Sequence, residues 1–138
     1  MKRLALAAAL SIAFIGIVSV LYRVISTLDS PACQNTPIQT VHSPDGELKA
    51  VLFSRDCGAT TGFSSQVSIL RAGDDLPNDG GNVFIADLPQ GETATPWGGP
   101  QVDLAWRAPK TVELRYDRTA RVFKKLETIA GVSVSYPQ

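Results

Sequence analysis

Residues 102–116 read Val-Asp-Leu-Ala-Trp-Arg-Ala-Pro-Lys-Thr-Val-Glu-Leu-Arg-Tyr. Val102, Leu104 and Trp106 alternate with Asp103, Ala105 and Arg107. After the connection Ala108-Pro109-Lys110, Val112, Leu114 and Tyr116 alternate with Thr111, Glu113 and Arg115. Side chains of a strand point to opposite faces with a period of two. Each run therefore carries one apolar and one polar face, and the pair predicts an antiparallel hairpin with one face on a core and the other in water. A slip of one residue would bury Asp103, Glu113 and Arg115, so the pattern itself specifies register.

The same reasoning extends upstream. Ser43-Pro44-Asp45-Gly46 is a turn signature: proline presets φ at the second position, Asp tolerates the third, and Gly can take the left-handed conformation at the fourth. It joins a strand near residues 38–42 to another near 47–55. In the second of these, Leu48, Ala50 and Leu52 face one way, and Val51 and Phe53 the other. Apolar residues on both faces predict a central strand. Further strands are predicted at 65–71, 83–86 and around Val132, Val134 and Tyr136. Residues 72–81, rich in Gly, Asp, Asn and Pro, read as an exposed loop. Val122, Leu126 and Ile129 fall at helical spacing with Gly131 as a C-terminal cap, so a short helix or turn is expected over 119–130, with a strand as the alternative.

The amino-terminal stretch has a different character. Lys2 and Arg3 precede an uncharged run from Leu4 to Tyr22, followed by Arg23. As a helix the run spans about 28 Å, close to the hydrocarbon thickness of a bilayer. It exceeds the apolar core of an ordinary signal peptide, and the one small-x-small site, Ser30-Pro31-Ala32, has proline at its centre. An uncleaved signal anchor is the favoured reading. Secretion after cleavage is the alternative. Lys2, Arg3 and the terminal amine favour the cytoplasm, which puts the remainder outside it, in a bacterium as a single-pass inner-membrane protein with its carboxyl-terminal domain in the periplasm. The expected organisation is an anchor over 1–23, a linker over 24–38 and one β-rich extracytoplasmic domain over 39–138.

Beyond residue 30 the chain carries ten Lys or Arg against twelve Asp or Glu. No broad positive field exists to draw in nucleic acid. A local run of Arg107, Lys110, Arg115, Arg118, Arg121, Lys124 and Lys125 reads either as solvated surface or as a docking face for an acidic partner or anionic lipid headgroups. The two cysteines, Cys33 and Cys57, are expected to pair in an oxidising compartment and to close a loop of 25 residues.

The stretch Asp56-Cys57-Gly58-Ala59-Thr60-Thr61-Gly62-Phe63, together with Ser43 to Gly46, resembles a motif pair of small bacterial proteins that carry an amino-terminal hydrophobic segment. The resemblance implies a membrane-anchored exported domain and implies no activity. Three chemical readings of this loop compete with a plain disulfide-pinned turn. Cys57 could be a nucleophile with His42, the single histidine, as its base. Backbone amides of residues 58–62 could capture an anion. Thr60, Thr61 and Phe63 could face a protein partner. Trp97, in Pro96-Trp97-Gly98-Gly99, either caps the core edge or anchors a partner. Asp74, Asp75, Asp79 and Asp87 match no calcium loop, and neither metal nor cofactor is expected.

The chain thus reads as mainly β, an antiparallel sheet or small sandwich of five to seven strands with at most one short helix, behind one transmembrane helix. The leading functional expectation is a tethered binding module, a build that fits an inhibitory or immunity-type protein. The alternatives are an enzyme using Cys57 and a structural anchor subunit of an envelope assembly.

Overall fold

The hairpin over 102–116 forms in register: Leu104 lies opposite Leu114 and Val102 opposite Tyr116, and Val102, Leu104, Val112 and Leu114 are buried. The structure is a computed structural model that describes residues 15–21, 33–58, 62–89, 92 and 95–137. The chain divides into two compact units, Met1–Ala32 and Cys33–Gln138. In the first, residues 15–21 are helical, and the Ser19 hydroxyl donates to the Ile15 carbonyl at 2.8 Å. Among the described residues no helix is long and apolar enough to cross a membrane. Residues 4–14 and Tyr22 of the apolar run lie outside the described residues.

The described residues of the second unit form nine strands: β1 (Gln34–His42), β2 (Leu48–Asp56), β3 (Ser64–Arg71), β4 (Phe84–Asp87), β5 (Val102–Ala108), β6 (Thr111–Tyr116), β7 (Arg121–Lys125), β8 (Thr128–Ile129) and β9 (Val132–Ser135). They form a five-stranded sheet in the order β1-β2-β3-β4-β7 and a four-stranded sheet in the order β5-β6-β9-β8. All pairings are antiparallel except β6 with β9. The core draws on both sheets: Ala50, Leu52, Val67, Ile69, Phe84 and Ala86 from the first, and Val102, Leu104, Val112, Leu114, Val132 and Val134 from the second. The arrangement is a β-sandwich. Trp106 joins its layers, its indole N–H donating to the Val41 carbonyl at 2.9 Å.

The Ser43–Gly46 turn forms as its sequence predicts. The Gly46 amide bonds the Ser43 carbonyl at 2.9 Å, and Gly46 has φ 73°. The Ser43 hydroxyl donates to Asp45 Oδ1 at 2.6 Å, and the Glu47 amide donates to the same oxygen at 3.2 Å. These bonds, that from Ser43 above all, hold the Asp45 carboxyl below its ordinary range.

Three expectations need correction. The first strand begins at Gln34, so residues 34–38 are ladder and not linker. Pro37 fits there because β1 is an edge strand and a bulge lies between Pro37 and Gln39. The strands number nine among the described residues, against the five to seven expected. The region 119–130 is not helical: it holds β7 and β8. Val122 and Leu126 are four residues apart, a spacing that an alternating strand and a helix share, so it does not distinguish the two. Ile129 belongs to the other sheet. Gly131 (φ 78°) shares the tight β8–β9 turn with Ala130 (φ 47°). Both central residues of this two-residue hairpin loop are left-handed, as a type I′ turn requires.

β2 is central, between β1 and β3, and is buried on both faces. Val51 and Phe53, opposite the core, are 3% and 0% exposed. The segment 77–82 folds back over that face. The Gly81 amide donates to Gln66 Oε1 at 2.6 Å and the Asn82 amide to Ser68 Oγ at 3.1 Å. The Asn82 side-chain amide accepts from the Ile69 N–H and donates to the Ile69 carbonyl, both at 2.9 Å, continuing the β3 ladder beyond β4. Residues 77–79 stay exposed yet are pinned, since Asn35 Nδ2 donates to the carbonyls of Pro77 and Asp79.

Phe84, Tyr116 and Tyr136 form an aromatic cluster bridging the sheets, with ring centroids 5.0 to 6.2 Å apart. Burial pushes the Tyr136 phenol up to about 12, with Tyr116 and Glu127 adding to the shift. A raised acid pKa means that the fold favours the neutral phenol. This contribution to stability is whole below about pH 10, the unfolded value, and is lost as pH rises toward 12. Equilibrium unfolding across alkaline pH should show this decline, and Tyr136→Phe should flatten it.

Candidate functional site

Register places a cystine at the open end of the β1–β2 hairpin. Gln34 pairs with Asp56, and Cys33 and Cys57 occupy the next position and are bonded. The expected disulfide is present, and no described cysteine is free. The hairpin is thereby closed at both ends, by the Ser43–Gly46 turn and by the cystine.

Beyond the cystine the chain makes the loop that leads into β3. Gly58 has φ 97° and its amide donates to Asp56 Oδ1 at 2.9 Å. Thr60 and Thr61, predicted as binding residues, lie outside the described residues. Phe63 follows and is 48% exposed. Behind it sits the turn 95–99. The Gly98 amide bonds the Thr95 carbonyl at 2.9 Å, and the Thr95 amide and hydroxyl both bond the Gly99 carbonyl. The turn is tied to the start of β3 through Ser65, which is fully buried. Ser65 Oγ donates to the Pro100 carbonyl at 2.6 Å and accepts from the Trp97 indole N–H at 2.9 Å.

Two glycines let these segments meet. A Cβ on Gly99 would lie 2.5 Å from Ser65 Oγ and 2.8 Å from its backbone nitrogen. A Cβ on Gly98 (φ 87°) would lie 2.6 Å from the Phe63 ring. The phenyl group thus rests on bare backbone at Gly98. Trp97 is partly buried against the core, and its bond to Ser65 braces the turn on which Phe63 rests.

The outer face of the first sheet carries a polar row at this end. Asn35 pairs with Arg55, Arg55 with Ser64, Ser64 with Asp87, and Asp87 with Arg121, so one line of side chains crosses all five strands. Arg55 Nη1 donates to Asn35 Oδ1 at 2.7 Å and to the Asn78 carbonyl at 3.2 Å. Arg121 grips Asp87 with two bonds of 2.7 and 2.8 Å. Sequence reading missed this row because cross-strand neighbours are set by register, which no single strand displays.

The structure brings together Phe63, Trp97 and the start of β3. It separates Cys57 from His42. His42 pairs with Lys49 at the turn end of the hairpin and Cys57 lies past the other end, eight residues along the ladder and about 26 Å away. With its sulfur in a cystine, Cys57 has no thiolate, and the proposed base is out of reach. The Gly58 amide, one of those expected to capture an anion, is engaged by Asp56. Asp74 pairs with Arg71 and Asp87 with Arg121.

The fold and site define a cystine-closed β-sandwich that holds an aromatic side chain exposed at one end. No protein-family model, curated protein or solved structure matches this chain.

Proposed function

We propose that this chain is a membrane-tethered, extracytoplasmic binding module that presents the end of its sandwich around Phe63 to a protein partner. The apolar run from Leu4 to Tyr22 serves as the tether, and the basic residues before it keep the amino terminus in the cytoplasm. The Cys33–Cys57 cystine suits a domain held in an oxidising compartment. The resemblance of Ser43–Gly46 and Asp56–Phe63 to small anchored bacterial proteins belongs to the same reading.

The observation that carries the proposal is Phe63. A phenyl group that is 48% exposed costs solubility and contributes nothing to the core cluster. Here it sits against Gly98, on a turn braced by Ser65 and Trp97. An aromatic side chain fixed before binding loses little rotamer freedom on association, which is the character of an interface anchor.

A photo-crosslinking phenylalanine analogue at position 63, incorporated in the native host, tests this reading. The expected result is one discrete adduct of higher mass, absent when the analogue replaces exposed Arg71 on the loop side of β3. Gly98→Ala should abolish the adduct by displacing the ring while leaving the cystine and the cooperative melt intact. Equal, diffuse crosslinking from both positions would reject the proposal.

A further inference from the structure

The edge strand β7 has a surface that the reading above does not use. Residues 118–126 run Arg-Thr-Ala-Arg-Val-Phe-Lys-Lys-Leu, with four cations and no carboxylate. Val122, Phe123 and Leu126 are 37%, 66% and 40% exposed. Within the second unit, these and Phe63 are the large hydrophobic side chains among the described residues that stand open to solvent. Lysines and a bulge on an edge strand are common guards against strand pairing. That role explains Lys124, Lys125 and the bulge, but it gives no reason to expose a phenylalanine beside them.

The cations differ in how far they are already satisfied. Arg121 is paired with Asp87, and Arg115, on the neighbouring β6, with Glu113. Lys124 donates to the Gly81 carbonyl. Lys125 stands over the rings of Tyr136 and Tyr116 and donates to the Tyr116 hydroxyl. Among the described residues, Arg118, Lys124 and Lys125 have no carboxylate partner. Asp117 and Glu127 bracket the stretch, and Asp117 is occupied by the Thr119 amide and hydroxyl. Beside the strand lies an open cleft of about 300 Å³ lined by Arg115, Tyr116, Arg118, Ala120, Val122 and Pro137. The unpaired Arg118 guanidinium and an apolar wall suit one phosphodiester headgroup and the start of its acyl chain.

We infer that the β7 edge docks on an anionic phospholipid surface, with Phe123 entering the interface and Arg118 and Lys125 meeting the headgroups. Cations interleaved with a protruding aromatic side chain are what an anionic interface binds, and such a surface asks for no matching groove. A folded acidic partner would need a complementary concavity along the strand, and the cleft is the size of a single headgroup. A second copy of this chain would set like charges against each other. The inference stands on the second unit alone and adds a second membrane contact to the proposed tether.

The test uses the full chain with Phe123→Trp, a substitution at an exposed position, reconstituted with phosphatidylcholine alone or with added phosphatidylglycerol. Emission is read as the difference from the wild-type chain, in the presence of brominated lipid. Blue-shifted, quenched emission at position 123 is expected with phosphatidylglycerol and not with phosphatidylcholine alone. Raised salt should reverse it. Arg118→Gln combined with Lys125→Gln should lower the docked-to-undocked ratio about 25-fold, at about fivefold per charge. No quenching, equal quenching in both lipids, or a shift produced by polyglutamate but not by phosphatidylglycerol would each overturn the inference. A chain that fails to incorporate into phosphatidylcholine would count against the tether alone. Added phosphatidylglycerol vesicles would then read position 123 in the same way.

Discussion

Phe84→Ala should lower the stability of the sandwich by about 3–5 kcal/mol. Phe84 is fully buried in the core cluster and stacks on Tyr116 and Tyr136 from the opposite layer. Truncation removes a ring's worth of buried area and leaves a cavity between two sheets that cannot close without shifting both. The Phe84 carbonyl also lies where a Cβ on Gly81 would come within 2.6 Å, so the backbone has little room to relax. Domains of this size are stable by only about 5–15 kcal/mol, so the variant should melt far below the wild type or fail to accumulate. Denaturant unfolding provides the measure. Phe84→Leu, which keeps most of the volume, should recover much of the loss.

Breaking the cystine should cost about 3 kcal/mol in the chain-entropy model, for a closed loop of this length. For a domain of about this size, that loss lowers the melting temperature by roughly 12–24 °C. Cys33→Ser, Cys57→Ser and the double variant should agree, because either single change opens the same ring. Reductant should bring the wild-type chain to the same melting temperature and leave the double variant unmoved. The effect should concentrate in β1, an edge strand with a bulge and a proline and one neighbouring strand. Hydrogen exchange would show that strand losing protection first.

Local chemistry explains which features could be read from the chain. The Ser43–Gly46 turn and the 102–116 hairpin depend on residues within a few positions of one another, and both form as expected. The double-sided apolar pattern of β2 marks a strand covered on both faces. The pairing of Cys33 with Cys57 follows from there being two cysteines. The order of strands does not follow from such signals. β7 leaves β6, crosses to the other sheet and joins β4, and nothing in Arg121–Lys125 names that partner. The four-residue spacing of Val122 and Leu126 suits a strand as well as a helix. The parallel β6–β9 pair is set by a connection through β7 and β8. In the candidate site Phe63 and Trp97 stood out as aromatic residues beside glycines, but Gly98 as the seat of the Phe63 ring depends on a contact 35 residues away in sequence.

The most direct test of the account is thiol trapping of the full chain taken from its native cells. Membranes are separated from soluble protein, and each fraction is treated with a mass-tagged maleimide with and without prior reduction. The account predicts the chain in the membrane fraction, untagged until reduced and then carrying one tag on each of Cys33 and Cys57. A soluble chain tagged at both cysteines without reduction would contradict the tether, the compartment and the closed hairpin together.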